Sequence, residues 1–148
     1  MSKGIDVSRY QGTVDWNKVK AAGIEFAIIR AGFGMYASQV DPQLAVNMQG
    51  AKAAGIPVGV YWYSYAVSEA EARREAEVCL QAISPYRGQL TLPVFFDQEY
   101  EPGIKALSDG ARTDICLAFL GAVQRAGYRA GLYCSYDWYQ NWVEQRRL

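Results

Sequence analysis

Histidine does not occur anywhere in the 148 residues. Its absence removes Ser-His-Asp and Cys-His hydrolysis, histidine general-base chemistry and most zinc hydrolysis together. Any enzyme built on this chain must therefore lean on carboxylates. Charge of one sign is also missing: Lys plus Arg and Asp plus Glu number 15 each, and no run of like charge supplies a local field. Nucleic acid and anionic membrane are accordingly not expected as partners. No apolar stretch approaches the roughly 20 residues that span a bilayer, so membrane insertion is not expected either. The three cysteines, Cys79, Cys116 and Cys134, are odd in number, widely spaced and set in apolar surroundings. With no histidine to complete a zinc site they read as reduced core residues, and neither metal nor cofactor is expected. Met1-Ser2-Lys3-Gly4-Ile5-Asp6 shows no charged-then-apolar leader, so a signal peptide is expected to be absent or already removed.

What is present is the composition of one globular domain, 51% hydrophobic and 20% charged, long enough to bury a sizeable core. Short apolar runs recur at Gly4–Val7, Phe26–Arg30, Val58–Trp62, Leu92–Phe96 and Ala130–Tyr133, and each reads as a buried strand. Helix-period stretches with identifiable ends separate them. Asp15 caps a helix that stops at Gly23, and Asp41 with Pro42 at the first helical position opens a second that closes at Gly55. Ser68 and Glu71 have capping-box spacing before a third helix. A fourth runs from about Ala111 to Ala126, and a fifth starts near Ser135 and continues toward Arg146-Arg147. The junctions Ala21-Ala22-Gly23-Ile24, Ala53-Ala54-Gly55-Ile56 and Arg125-Ala126-Gly127-Tyr128 repeat one helix-to-strand turn. The fold class is α/β, with about five βα units in one direction, which suits either a (β/α) barrel or an open doubly wound sheet. No Gly-x-Gly-x-x-Gly or P-loop follows a strand, so a nucleotide-binding version of the open sheet loses support.

Chemistry is expected at the carboxyl ends of the strands. In Val94-Phe95-Phe96-Asp97-Gln98-Glu99 an apolar strand ends in two acids two residues apart, which point to the same side. Carboxyls that close raise one another's proton affinity, and an apolar wall raises it further, so one can stay protonated while the other is ionised. Glycoside cleavage needs that division of labour. The competing structural explanation is that one acid caps a turn or pairs with Arg30 or Lys105. Asp6, inside the first apolar strand, must likewise face a polar pocket or be hydrogen-bonded. Tyr61, Trp62, Tyr63, Tyr65, Tyr100, Tyr133 and Trp138 cluster near strand ends, where rings could stack on sugars or simply fill the core.

Gly4-Ile5-Asp6-Val7-Ser8-Arg9-Tyr10-Gln11-Gly12, followed by Val14-Asp15-Trp16, resembles the opening G-I-D-V-S-x-x-Q-G-x-x-D-W signature of glycoside hydrolase family 25 lysozymes, the Chalaropsis-type muramidases. The resemblance continues through Ala27–Gly34, the helix carrying Asn47, Ala53–Tyr61, Pro93–Glu99 and Gly131-Leu132-Tyr133-Cys134-Ser135. It implies an irregular (β/α) barrel that hydrolyses the β-1,4 bond between N-acetylmuramic acid and N-acetylglucosamine in bacterial peptidoglycan. By the same resemblance Glu99 is the general acid, and Asp97 stabilises the developing positive charge by orienting the substrate's acetamido group. Asp6 holds the hydrogen-bond network, and Tyr61, Trp62, Tyr63, Tyr100 and Tyr133 are the expected substrate contacts. The expected setting is extracellular or the cell wall, in the manner of a phage lysin.

Two departures stand out. Where many family members have histidine after the tyrosine of the third strand, this chain has Trp62, so a polar contact is expected to give way to stacking. Family domains also continue with further strands, a W-Q-Y-like segment and a late aspartate. Residues 1–148 are therefore expected to be a C-terminally truncated catalytic domain, an incomplete barrel that is either part of a longer enzyme or completed by homo-oligomerisation. Two other functions remain open at this level: a non-catalytic peptidoglycan-binding module, and an enzyme for another amino-sugar polymer such as chitin.

Overall fold

In the computed structural model, whose described residues are 2–148, each of the five apolar runs forms a strand. Met1, where the reading of an absent leader begins, lies outside them. The strands are β1 (Gly4–Val7), β2 (Phe26–Phe33), β3 (Val58–Tyr63), β4 (Leu90–Asp97) and β5 (Ala130–Tyr133). The middle three run past their apolar stretches because the ladder continues to Phe33↔Tyr63 and Tyr63↔Asp97. Between the strands lie α1 (Trp16–Ala21), α2 (Leu44–Ala53), α3 (Glu69–Ile83), α4 (Pro102–Lys105), α5 (Asp109–Arg125) and α6 (Tyr136–Asn141).

Side chains close the helix starts at Asp15, Ser68 and Ser135 as expected, whereas the fourth of the expected helices begins at Asp109 behind a Ser108 cap, two residues before Ala111. Asp15, Ser68, Ser108 and Ser135 each accept a hydrogen bond from a first-turn backbone N–H, which satisfies a donor the helix cannot. Glu71 reaches back to the N–H of Val67 at 2.9 Å. Asp41, however, does not open α2: its carboxylate accepts from Gln43 N at 2.8 Å and from Arg9 N at 3.1 Å. Residues 41–43 therefore make a turn that ties the loop after β1 to the start of α2. The last helix also ends at Asn141 rather than reaching Arg146, where the buried Arg112 takes the Trp142 carbonyl at 2.7 Å. At all three repeated junctions the glycine is left-handed, with φ of 83° at Gly23, 73° at Gly55 and 91° at Gly127, a conformation that favours glycine.

All neighbouring strands are parallel, and their order across the sheet is β1-β2-β3-β4-β5. A doubly wound sheet reverses order at a switch point. This one does not, so it winds in the sense of a barrel whose described strands leave it unclosed. Even so, its curl brings the ends of the sheet together, because Tyr133 of β5 donates to Asp6 of β1 at 3.2 Å.

Strand alternation gives the sheet two different faces. Val7, Ala27, Ile29, Ala31, Val58, Val60, Trp62, Val94 and Phe96 point outward into one cluster with Met48 of α2, Cys79 and Ile83 of α3, and Cys116 and Phe119 of α5. The intervening residues line the concave face. Near its floor the ring of Phe26 lies over Gly4 and that of Phe95 over Gly131, where a Cβ would meet ring atoms at 2.1 and 2.7 Å. The upper half of the face is polar.

Gly59 is the tightest backbone approach of this sheet, since a Cβ there would stand 2.5 Å from the Pro93 carbonyl oxygen. That oxygen belongs to the backbone irregularity between the Val58↔Leu90 and Val60↔Val94 pairs, so it can yield only if the strand shifts with it. Gly59→Ala is expected to cost about 1–3 kcal/mol of stability in urea unfolding, while Gly88→Ala, with nothing within 4 Å, should be close to neutral. Equal midpoints for the two variants would contradict this packing.

Candidate active site

The carboxyl ends of β2, β3 and β4 open into a cleft of about 360 Å³ lined by Tyr10, Arg30, Tyr61, Tyr63, Tyr65, Asp97 and Glu99. Asp97 is the last residue of β4, and its register partners are Tyr63 of β3 and Tyr133 of β5. Glu99 lies just beyond the strand. The two acids expected on one side do share one pocket.

Asp97 is only 2% exposed, and among the described residues its Oδ1 has no hydrogen-bond partner. A buried carboxylate in that state is costly. Burial, followed by the facing Glu99 carboxyl and the charge of Asp6, therefore pushes Asp97 well above the usual carboxylate range, against a smaller pull from Arg30. The physical result is an acid at the end of β4 whose protonated form is favoured far more than in an exposed aspartate.

The backbone around the pair is fixed from behind. Gln98 is fully buried on the opposite face, where its Oε1 accepts from Trp138 Nε1 at 2.9 Å and Cys116 Sγ at 3.3 Å. Its Nε2 donates to the Arg112 carbonyl at 3.3 Å. On the other side, Ser64 N donates to the Asp97 carbonyl at 2.9 Å. The buried Glu75 of α3 holds that segment through Ser64 Oγ at 2.7 Å and Tyr65 N at 2.9 Å. Its own burial raises it to about 7, against those two hydrogen bonds. Neither Gln98 nor Glu75 has a spacing or motif in the sequence that marks it.

The expected aromatic contacts divide. Tyr61 and Tyr63 line the cleft, with the Tyr63 hydroxyl donating to Glu101 at 2.6 Å. Tyr133 borders the site, stacking on Tyr61 at 6.1 Å and donating to Asp6. Asp6 thus meets Tyr133 at the open side of the sheet. Tyr100 is exposed, and its hydroxyl is held by Ser135 at 2.8 Å and Asp137 at 2.7 Å, outside the cleft lining.

Trp62 requires correction: it is 0% exposed and cannot stack on a sugar. Period-2 alternation sends it outward, opposite to Tyr61 and Tyr63. There its ring covers Gly32 and its Nε1 donates to the Gly34 carbonyl at 2.8 Å. Trp138 is likewise core. Tyr10 and Arg30 are cleft residues that were not expected as substrate contacts. For Arg30 the period-2 offset from Ile28 on β2 was an available signal.

A family model described as glycosyl hydrolases family 25 matches residues 5–148. Lysozyme M1 of Streptomyces globisporus is 32% identical over 100 residues, covering 68% of this chain and 33% of that protein. The autolytic lysozyme of Clostridium acetobutylicum is 42% identical over 72 residues, covering 47% of this chain and 22% of that protein. This chain therefore spans a third or less of the length of these curated relatives. Among solved structures, the modular autolysin LytC from Streptococcus pneumoniae superposes with a TM-score of 0.85 at 27% identity, over 99% of this chain and 35% of that one. That autolysin is also solved in complex with a synthetic peptidoglycan ligand.

The raised carboxyls have a consequence for stability. Asp97 and Glu75 bind protons more tightly folded than unfolded, where a carboxyl titrates near about 4. Between that range and their raised values the native state holds the extra protons, so stability falls as pH rises. Asp97→Asn should remove one proton's share of that slope, at most about 1.4 kcal/mol per pH unit, in urea unfolding from pH 5 to pH 8. An unchanged slope would show that Asp97 ionises normally.

Proposed function

The chain belongs to glycosyl hydrolases family 25, and from that premise we propose that it is a peptidoglycan muramidase, cutting the β-1,4 bond between N-acetylmuramic acid and N-acetylglucosamine. The observation that carries the proposal is the Asp97–Glu99 pair in one cleft, its deeper member buried and short of a hydrogen-bond partner. In this reading residues 1–148 are catalytic-domain sequence, and the place of action is the bacterial cell wall.

Glu99, the less buried acid, gives its proton to the leaving glycosidic oxygen as the bond to the sugar's anomeric carbon breaks. Asp97 faces the positive charge that develops there and orients the acetamido group that attacks the same carbon; water, giving a proton to the now ionised Glu99, then adds at that carbon, releases the acetamido oxygen and leaves the new reducing end. In the free site burial favours a proton on Asp97. A developing cation beside Asp97 favours its ionised form, which leaves the proton on Glu99 as the bond breaks. Asp6, tied to Tyr133, completes the polar rim. Tyr61, Tyr63 and Tyr133 offer ring faces and hydroxyls to the sugar, with Tyr100 further out.

The test is reducing-end analysis of purified peptidoglycan after incubation with the chain. New muramic-acid reducing ends are expected from the parent, with a loss of at least about 100-fold in Glu99→Gln. Binding without new ends, from a folded chain, would replace this function by that of a peptidoglycan-binding module.

A further inference from the structure

Arg30 has a place in the cleft that the proposed chemistry does not use. It is 8% exposed, and among the described residues no carboxylate stands within ion-pair range of it. Its Nε is buried without a hydrogen-bond partner. The guanidinium is held between two rings, 4.9 Å from the Phe33 centroid and 5.6 Å from that of Tyr10. The two aromatic contacts hold the head in the cleft, where its N–H donors reach the Tyr10 hydroxyl and the space a ligand would fill. Taking a cation this far out of water without a counter-ion is expensive. Arg30 is also the one cationic side chain that lines this cleft among the described residues.

The charge around it defines what that ligand is. Glu99 and Asp97 line the same cleft, with Asp6 close enough to act on Asp97. Without a cation, this site would repel an acidic sugar and favour a neutral one. A planar fork of N–H donors matches the two oxygens of a carboxyl group and also donates well to an amide carbonyl. Within a β-1,4-linked amino-sugar strand every residue has an acetamido carbonyl, so the acceptor that sets muramic acid apart is its 3-O-lactyl group, a carboxylate when free and an amide carbonyl when it bears a peptide. N-acetylglucosamine has the acetamido group but lacks the lactyl.

We propose that Arg30 is the specificity-determining residue of the cleft, donating hydrogen bonds to the lactyl group of muramic acid, through its carboxylate oxygens when free or its carbonyl oxygen when amide-linked, and so selecting peptidoglycan strands over chitin-like ones. The inference rests on the cleft being a glycan site, as in the proposed function, but it does not need turnover. Its role is also distinct from balancing the charge of Asp97, which would be blind to the lactyl group.

The test measures binding to the Glu99→Gln chain by calorimetry. The probes are a tetrasaccharide of alternating N-acetylglucosamine and N-acetylmuramic acid with free lactyl carboxylates, the same glycan with the lactyl groups amide-linked to alanine, and chitotetraose. Both muramic ligands should bind roughly tenfold or more tighter than chitotetraose, the scale of one hydrogen bond to a charged group. Arg30→Met should abolish that preference, and Arg30→Lys, which keeps charge but not the fork, should retain part of it. Thermal unfolding checks that each variant is folded, and Arg30→Lys serves if Arg30→Met is not. Equal binding of the three ligands, a preference that survives Arg30→Met, or no binding of any of them overturns the proposal. Lost cleavage with the preference intact would instead count against the hydrolytic function alone.

Discussion

Asp97 is a carboxyl taken out of water at the end of a central strand, with Glu99 beside it. Keeping it there requires the rest of the structure. Left to itself, a buried acid would draw water in, shift its strand end or swing to an exposed rotamer. Three attachments prevent this: the β3 ladder, the Ser64–Glu75 hydrogen bonds on one flank, and Gln98 locked between α5 and α6 on the other. Of the three, β3 alone puts side chains into the cleft, Tyr61 and Tyr63, while Gln98 and Glu75 lie outside its lining. The joint effect is to keep Asp97 buried with the Glu99 carboxyl close by, the two causes that raise it, a condition that would relax in a looser site.

The two faces of the sheet divide the work. Outward residues are aliphatic or aromatic and bury against α2, α3 and α5, which stabilises the curved sheet. Inward residues change character along the strands, from the Phe26 ring to Arg30 on β2 and from the Phe95 ring to Asp97 on β4, with Tyr61 and Tyr63 following Gly59 on β3. The polar half is affordable because the outward face carries the hydrophobic core. The same alternation explains why one residue shifts of identity along β3 have unlike consequences: Tyr61 and Tyr63 meet the cleft, and Trp62 between them never does.

Much of this was legible in the sequence because it follows from local rules. Strand positions came from apolar runs, helix starts from Asp15, Ser68 and Ser135, and the α-to-β turns from Gly23, Gly55 and Gly127. The pairing of Asp97 with Glu99 followed from their spacing. What was not legible depends on non-local packing. Strand order, and hence the choice of the barrel sense over a doubly wound sheet, appears only when β1 to β5 are laid side by side. Trp62 reads as a sugar contact because it stands where many family members have a histidine, although its own alternation already argues for the opposite face. Asp41 read as a helix cap because nothing local reveals that Arg9 claims its second oxygen. Gln98 and Glu75 look like surface residues until the helices that bury them are in place.

The central claim is that burial beside the Glu99 carboxyl holds Asp97 protonated well above the usual carboxylate range, and carboxyl carbon NMR across a pH titration of the folded chain reads it directly. The account predicts that the Asp97 carboxyl carbon keeps its protonated shift well past that range and that Glu99→Gln lowers its midpoint. An Asp97 midpoint near about 4, insensitive to Glu99→Gln, would contradict it.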